Sequence, residues 1–321
     1  MWNYGDEDQA ILDALRLSRG MTYKSGAAGE NYGGGKSVIF GDPQTQKSEE
    51  LFRAFGRFVA GLKGRFITGT DVGTSYDDFI SAAKEGPYFV ALPEQFGGSG
   101  DSSIMTAFGV WQGMKATAKE AFGTDSLKGL HVAVQGLGKV GRHLVEYLHQ
   151  EGARITCTDI NESNLLAVKQ EFPVEVVSAE SIYDVECDIF SPNALGAILN
   201  DNTIPRLRCK AIAGAANNQL AIPEVHGMML TERNITYAPD YVINAGGLIQ
   251  VADELQGYNR ERAFEKASRI YYWLQKIFEL ARAERLNTYQ AADLLVERRL
   301  ESLGKVRSNF IRSKQNKKEV K

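Results

Sequence analysis

Cysteine, histidine and proline are scarce in this chain, and the shortages remove whole classes of function. Among 321 residues there are three cysteines, four histidines and eight prolines. Cys157, Cys187 and Cys209 are too few and too separated for a disulfide framework or for C-x-x-C metal pairs, which points to a reducing compartment. His131, His143, His149 and His226 do not combine with cysteine or carboxylate at a metal-ligand spacing, and no G-x-S-x-G turn displays a nucleophile. Metalloenzyme and serine-hydrolase readings are therefore weak, and no metal is expected. Neither sign of charge prevails: 37 basic against 40 acidic side chains leave a net charge of -3, with no basic footprint for nucleic acid. No apolar run approaches the roughly 18 residues of a membrane span. The first segment carries acids where a leader peptide has a basic start, so a cytoplasmic protein is expected, with neither membrane nor nucleic acid as partner.

Glycine, by contrast, is plentiful at 32 residues and follows no repeating period, so glycines should mark turns and close approaches to a ligand or another element. Hydrophobic content of 43% and charged content of 24% are ordinary for a soluble globular protein, and 321 residues suggest two domains. Asp6, with Gln9 three residues on, reads as a capping box, and Ile11, Ala14, Leu15 and Ser18 follow at helical spacing to Gly20, where the helix is expected to end. The triglycine Gly33, Gly34, Gly35 leads into a short β-rich run at 37–40 and would display Lys36 at its mouth. Ser48 caps a second helix whose Leu51, Phe55, Phe58, Val59 and Leu62 form one apolar stripe. A strand at 66–68 then opens into a loop bounded by Gly69 and Gly73.

The glycine-rich string at 96–101 reads as a flexible connection, and 106–122 as a helix bridging two domains. Beyond it, β runs at 131–135 and 154–159 flank a helical pattern at 138–150, a βαβ unit. Further strands at 187–190, 210–213 and 235–237 are separated by segments long enough for crossovers, which predicts a parallel, doubly wound sheet. Helical patterns at 245–256, 260–283 and 289–303, the last capped by Thr288, fill the C-terminal third and can return to the first domain. Lys314, Lys317, Lys318 and Lys321 read as a solvated tail. There is no internal repeat.

Gly136-Leu137-Gly138-Lys139-Val140-Gly141 stands directly between the first β run of that unit and its helix. Gly136 permits the tight turn, Gly138 lets backbone N–H groups approach a pyrophosphate, and Gly141 allows close contact of helix and strand. Asp159, at the end of the second run, can accept hydrogen bonds from a ribose 2′-hydroxyl and repel a 2′-phosphate, which favours NAD over NADP. A glycine turn in an unrelated α/β protein is the bland alternative, and the flanking strands with Asp159 weigh against it.

Lys24 and Lys36 lie twelve positions apart in small, uncharged surroundings. Each alone would read as a solvated surface charge. Two ammonium groups brought together and partly desolvated have lowered pKa values, which suits one to hold a carboxylate and the other to exchange protons. Asp71 reads either as their acidic partner or as an ordinary turn aspartate.

The strings Gly20-Met21-Thr22-Tyr23-Lys24, Gly33-Gly34-Gly35-Lys36, Thr68-Gly69-Thr70-Asp71-Val72-Gly73, Gly214-Ala215-Ala216-Asn217-Asn218-Gln219-Leu220 and the run 238–247 resemble, nearly end to end, the Glu/Leu/Phe/Val dehydrogenase family. They look most like its leucine and phenylalanine dehydrogenases, which interconvert L-amino acids and 2-oxo acids with NAD. The resemblance implies an α/β chain of two domains: a substrate domain at 1–92, to which 287–321 return, and a Rossmann-type doubly wound NAD domain at 93–286. It implies that Lys24 binds the substrate carboxylate, that Lys36 is the general base activating water against the imine, and that Asp71 assists proton movement at the amino group. Asn244 would touch both substrate and cofactor, and Thr106 would lie near the nicotinamide amide. The rest of the cofactor set would be Gly136, Leu137, Gly138, Lys139, Val140, Gly141, Asp159, Ile160, Ala194 and Asn217. Gly69, Leu248 and Val251 would form the side-chain pocket, and Gly69 with Leu248 is the pairing of phenylalanine dehydrogenases. Oxidative deamination of phenylalanine to its 2-oxo acid and ammonia is therefore expected, with leucine or another branched-chain amino acid as the alternative.

Two departures from the family pattern stand out. Asn193 occupies a position where relatives usually have cysteine beside the nicotinamide ribose. The chain also starts inside what would be the family's first domain, so that domain is expected to lack its N-terminal strands. A shortened relative that binds NAD without turnover is then a further alternative, and a homo-oligomer is expected where the N-terminus is complete. A 2-hydroxy acid dehydrogenase sharing only the cofactor fold is a third reading, and the lysine pair argues against it.

Overall fold

Parallel strands organise residues 1–306, which the computed structural model describes; the lysine tail at 314–321 lies outside them. The N-terminal body contains α1 (Glu7–Ala27), α2 (Glu49–Gly61), β1 (Thr68–Gly69), α3 (Tyr76–Ala83) and β2 (Phe89–Val90), with β1 and β2 paired in parallel and Gly69 opposite Val90. Asp6 caps α1 as its spacing predicts, accepting the Gln9 N–H at 2.8 Å. The helix does not stop at Gly20, however, but runs on to Ala27. Glycine inside a helix costs about 1 kcal/mol, and the contacts of the last turns of α1 against the C-terminal helix outweigh that local preference. The longer helix places Lys24 in its last turn rather than in a loop. The run 37–40 is likewise no strand: Phe40 makes one isolated bridge to Trp2, because no longer partner segment lies beside it. The strand expected at 66–68 forms at Thr68–Gly69 instead.

Ser48 accepts the Leu51 N–H at 3.2 Å and starts α2, whose buried Phe52 and Val59 face α3. Phe52, Phe55, Phe79 and Phe89 meet at centroid distances of 5.9 to 6.3 Å and make the core of this small body. Each fully buried ring contributes roughly 1.5 to 3 kcal/mol.

The larger body opens with α4 (Ser103–Phe122) and continues through β3 (His131–Gln135), α5 (Lys139–Glu151), β4 (Arg154–Thr158), α6 (Glu162–Glu171), β5 (Glu175–Val176), β6 (Ile189–Pro192), β7 (Ala211–Ile212), α7 (Pro223–Glu232) and β8 (Thr236–Tyr237). All six strands are parallel, in the order β5-β4-β3-β6-β7-β8. This is the doubly wound order whose direction reverses between β3 and β6, and a crevice opens there at the carboxyl ends of the strands. The short edge strand β5 has no alternating pattern to announce it, and β6 begins two residues later than the sequence suggests.

Five helices complete the fold: α8 (Asp240–Ile243), α9 (Gly246–Glu254), α10 (Arg260–Ser268), α11 (Ile270–Glu284) and α12 (Thr288–Gly304). The pattern at 260–283 is thus two helices, parted at Arg269. Asn287, not Thr288, caps α12: its side chain accepts the Gln290 N–H at 2.9 Å while Gln290 accepts the Asn287 N–H at 3.3 Å. The α12 helix packs against α1, and Arg299 donates to the carbonyls of Gly26, Gly29 and Glu30 and to the Asn31 side chain. No helix among the described residues is long and apolar enough to cross a membrane.

Candidate active site

Gly34 explains how the two lysines come together. A Cβ at this residue would overlap the backbone of Ser18 and Thr22 in α1, and one at Gly35 would strike Phe66, so Gly34 and Gly35 lie in a crevice that a side chain would fill. Two residues beyond each contact stand Lys36 and Lys24. Both line one cleft of about 420 Å³ between the two bodies, together with Gly69, Asp71, Leu248 and Val251. Six of the seven residues expected to bind or transform substrate thus share a single space, although they come from α1, two loops, β1 and α9; the seventh, Asn244, does not line it.

Lys24 is half-buried, and desolvation pulls its pKa from 10.5 down to about 8, against the opposing attraction of Asp240 and with a smaller push from the Lys36 charge. Lys36 donates to Asp71 Oδ2. Burial tends to raise the Asp71 pKa, but the Lys36 hydrogen bond and charge, with the Val72 N–H at 2.8 Å, hold it below its ordinary value. The Asp71 loop is closed by Thr74, whose Oγ1 accepts the Asp71 N–H at 3.0 Å.

Gly69 lines this cleft, but not by simply leaving room. Its Cβ would come within 2.7 Å of the Val90 carbonyl oxygen and 3.3 Å of Ala91 Cβ, so the glycine is required by the close approach of β1 to β2. The pocket wall here is backbone.

The nucleotide crevice gathers its own set. Gly136 has φ +93°, and a Cβ on it would meet Ala194 at 2.9 Å. Gly141 packs against the Gly136 carbonyl, whereas a Cβ at Gly138 would meet nothing. Gly138 begins α5, and no side chain caps that end, so its first N–H groups face open space. The β4 strand ends at Thr158, one residue short of expectation. Asp159 follows it and accepts the Leu137 N–H at 2.6 Å and the Asn161 N–H at 2.7 Å, tying the glycine turn to the end of β4. Ile160 stands at the exposed rim. Asn244 donates to the Ala215 carbonyl at 3.0 Å and to Asn217 at 2.7 Å, and its own Oδ1 is buried without a partner. Thr106 Oγ1 lies 2.9 Å from where a Cβ on Gly247 would be. Lys139 pairs with Asp101 at 2.7 Å across the mouth between the glycine turn and the cleft. Val140 is half-buried behind that turn.

Asn193 has a definite task. It donates to Ser191 and accepts the Ala215 N–H at 2.8 Å, joining the loops that follow β6 and β7. Among the described residues no group of three or more His, Cys, Asp or Glu side chains could hold a metal ion.

Two further carboxylates carry no local signal in the sequence. Asp240 is buried, accepts the Gln219 N–H at 3.0 Å and the Tyr241 N–H at 2.8 Å, and has its pKa raised by burial in spite of these bonds and of Lys24. Glu254 reaches into the connection between the bodies. That connection is not the flexible string expected at 96–101: Ser99 is 4% exposed, and the Gly98 position lies against the Leu92 backbone too tightly for a side chain. Glycine richness there serves close contact instead of mobility.

Comparison with known proteins identifies the family. Residues 1–85 match the sequence profile described as "Glu/Leu/Phe/Val dehydrogenase, dimerisation domain", and residues 97–162 and 158–307 match that of "Glutamate/Leucine/Phenylalanine/Valine dehydrogenase". The chain is 56% identical over 316 residues to a leucine dehydrogenase of Thermoactinomyces intermedius, covering 98% of this chain and 86% of the relative. It is 49% identical over 315 residues to a phenylalanine dehydrogenase of the same organism, with the same coverage of 98% and 86%. Its structure matches the crystal structure of L-tryptophan dehydrogenase from Nostoc punctiforme with a TM-score of 0.87 at 44% identity, over 95% of this chain and 88% of that one.

Proposed function

The chain belongs to the Glu/Leu/Phe/Val dehydrogenase family and is an oxidoreductase of the CH–NH2 group, and from that premise we propose that it deaminates an apolar L-amino acid with NAD, phenylalanine ahead of leucine, to the 2-oxo acid and ammonia. The convergence of Lys24, Lys36, Asp71, Gly69, Leu248 and Val251 on one cleft carries this reading. The half-buried Lys24 ammonium holds the substrate carboxylate. Bound NAD supplies the acceptor for the hydride that leaves Cα. Lys36 acts as general base on the water that adds to the imine carbon; the water oxygen becomes the keto oxygen and the nitrogen departs as ammonia. Asp71, already in contact with Lys36, relays protons at the amino group.

The residues of the crevice fit a dinucleotide. The uncapped start of α5 over Gly138 suits a pyrophosphate, Asp159 suits a ribose diol and disfavours a 2′-phosphate, and the unpartnered Asn244 Oδ1 suits an amide or hydroxyl donor. Thr106, Leu137, Lys139, Val140, Ile160, Ala194 and Asn217 complete the proposed cofactor residues. The domains are taken as 1–92 with 287–321, and 93–286. Exposed Ile11, Leu12 and Leu15 on α1, within the segment matched to a dimerisation domain, support a homo-oligomer.

Gly69 with Leu248 in one cleft wall is the pairing that the resemblance associates with phenylalanine dehydrogenases, which favours an aromatic side chain; a methyl-sized difference is worth about 1 to 3 kcal/mol of discrimination. Steady-state kinetics test both parts. NADH formation with L-phenylalanine and L-leucine should show the higher kcat/KM for phenylalanine, and a leucine preference would overturn the pocket assignment. Lys36→Ala should lower turnover by about 10²- to 10⁴-fold while leaving NAD affinity intact, and unaltered turnover would overturn its role as base.

A further inference from the structure

Ala91 follows β2 directly and adopts φ +57°, a left-handed conformation that non-glycine residues rarely take without support from their surroundings. It lines the cleft and is one of the atoms that a side chain at position 69 would strike. The support comes from Glu254, 163 positions away, whose carboxylate accepts the Ala91 N–H at 3.0 Å. The same carboxylate accepts the Ser99 N–H at 2.8 Å and the Ser99 hydroxyl. One helical turn earlier on α9, the buried Gln250 donates to the Ser99 carbonyl at 3.0 Å and towards the Asp101 carbonyl at 3.5 Å. Glu254 and Gln250 therefore grip the 91–102 loop through its backbone at both ends, at Ala91 and at Ser99–Asp101.

The α9 helix that carries this grip also carries Leu248 and Val251, the opposite wall of the cleft. The loop in turn contributes Ala91, Gly100, Asp101 and Ser102 to its lining. Both walls are thus fastened to one another through two side chains that do not line the cleft themselves. Resting on the amino-acid dehydrogenase reading, we propose that Glu254, assisted by Gln250, is a positioning residue that sets the width of the amino-acid pocket by holding Ala91 and the 91–102 loop at a fixed distance from Leu248 and Val251. A carboxylate suits the task because all its contacts are donors, and charge-assisted bonds to backbone N–H groups are stronger than neutral ones. It decides how tightly, and how selectively, the side chain of the substrate is held.

Glu254→Gln tests this with nearly unchanged volume, since its NH2 would face donors where only acceptors fit. Amide hydrogen exchange at Ala91 and Ser99 should be slow in the wild type and accelerate in Glu254→Gln; fast wild-type exchange, or no acceleration, overturns the clamp without reference to activity. The KM for the L-amino acid, and the Kd of the 2-oxo acid by calorimetry, should rise about tenfold, while KM for NAD stays within about twofold and the phenylalanine-to-leucine ratio of kcat/KM moves towards one. Ser99→Ala, which removes only the hydroxyl donor, should fall between the two. A purely structural role would lower Tm with the KM values and the ratio unchanged, and that result overturns the proposal. Wild-type protein that exchanges slowly and binds the 2-oxo acid more tightly than Glu254→Gln, yet reduces no NAD with any L-amino acid, would sink the dehydrogenase reading and leave the clamp standing.

Discussion

A lysine whose pKa has fallen to about 8 is a conditional ligand. Because burial disfavours the charged form of Lys24, the free protein keeps its ammonium only below about pH 8 and loses it well before the ordinary 10.5. The Kd for a 2-oxo acid, read by calorimetry, should therefore weaken as pH rises through about 8. Proton uptake should accompany binding above that pH, and Lys24→Met should bind weakly with a flat profile. In the folding equilibrium the sign is the opposite of the usual paired lysine: the folded pKa lies below the unfolded one, so this residue contributes stability that grows as pH rises from about 8 to 10.5. Lys24, Lys36 and Asp71 could be singled out in sequence because small neighbours and glycines surround them. Asp240 and Glu254 could not, since each acts on a group far away along the chain and no local spacing records such a contact.

Among the elements, glycines decide where the chemistry is assembled. Gly34 is the clearest case, because a side chain there would collide with backbone in α1, whereas a Cβ at the neighbouring Gly33 would meet nothing. Gly34→Ala should push the segment bearing Lys36 out of the cleft and reduce the NADH formation rate severely while NAD binding persists; Gly33→Ala should do neither. Equal effects of the two would refute the close-approach argument. The same physics explains which elements could be read in advance. The βαβ unit, with its buried run His131–Gln135 and its glycine turn, is a local pattern and appears where expected. The continuation of α1 past Gly20, the loss of the strand at 37–40 and the ordered 91–102 loop are decided by distant partners: α12, the single bridge from Trp2, and α9. Local propensity misreads all three: at Gly20 and in the 91–102 loop because glycine signals a turn, a mobile link and a close contact with the same letter, and at 37–40 because β-rich residues do not record whether a partner strand lies beside them.

For the molecule as a whole, the order of bodies along the chain differs from their order in space. The last described helix returns to the first, and Arg299 gathers carbonyls at and just beyond the end of α1, Gly26 two residues from Lys24. Arg299→Ala should lower unfolding stability by about 2 kcal/mol in urea titration, since charge-assisted bonds to these carbonyls are lost. That seam has a consequence for cleavage. The exposed Phe96 offers chymotrypsin a bond in the segment between the small body and the glycine-turn sheet. A single nick after it should yield two fragments that co-elute as a noncovalent pair, held by α1 against α12. They should part under native conditions only when Arg299→Ala weakens the seam. Severed in this way, the molecule behaves as a complementation pair whose covalent join is dispensable to its cohesion.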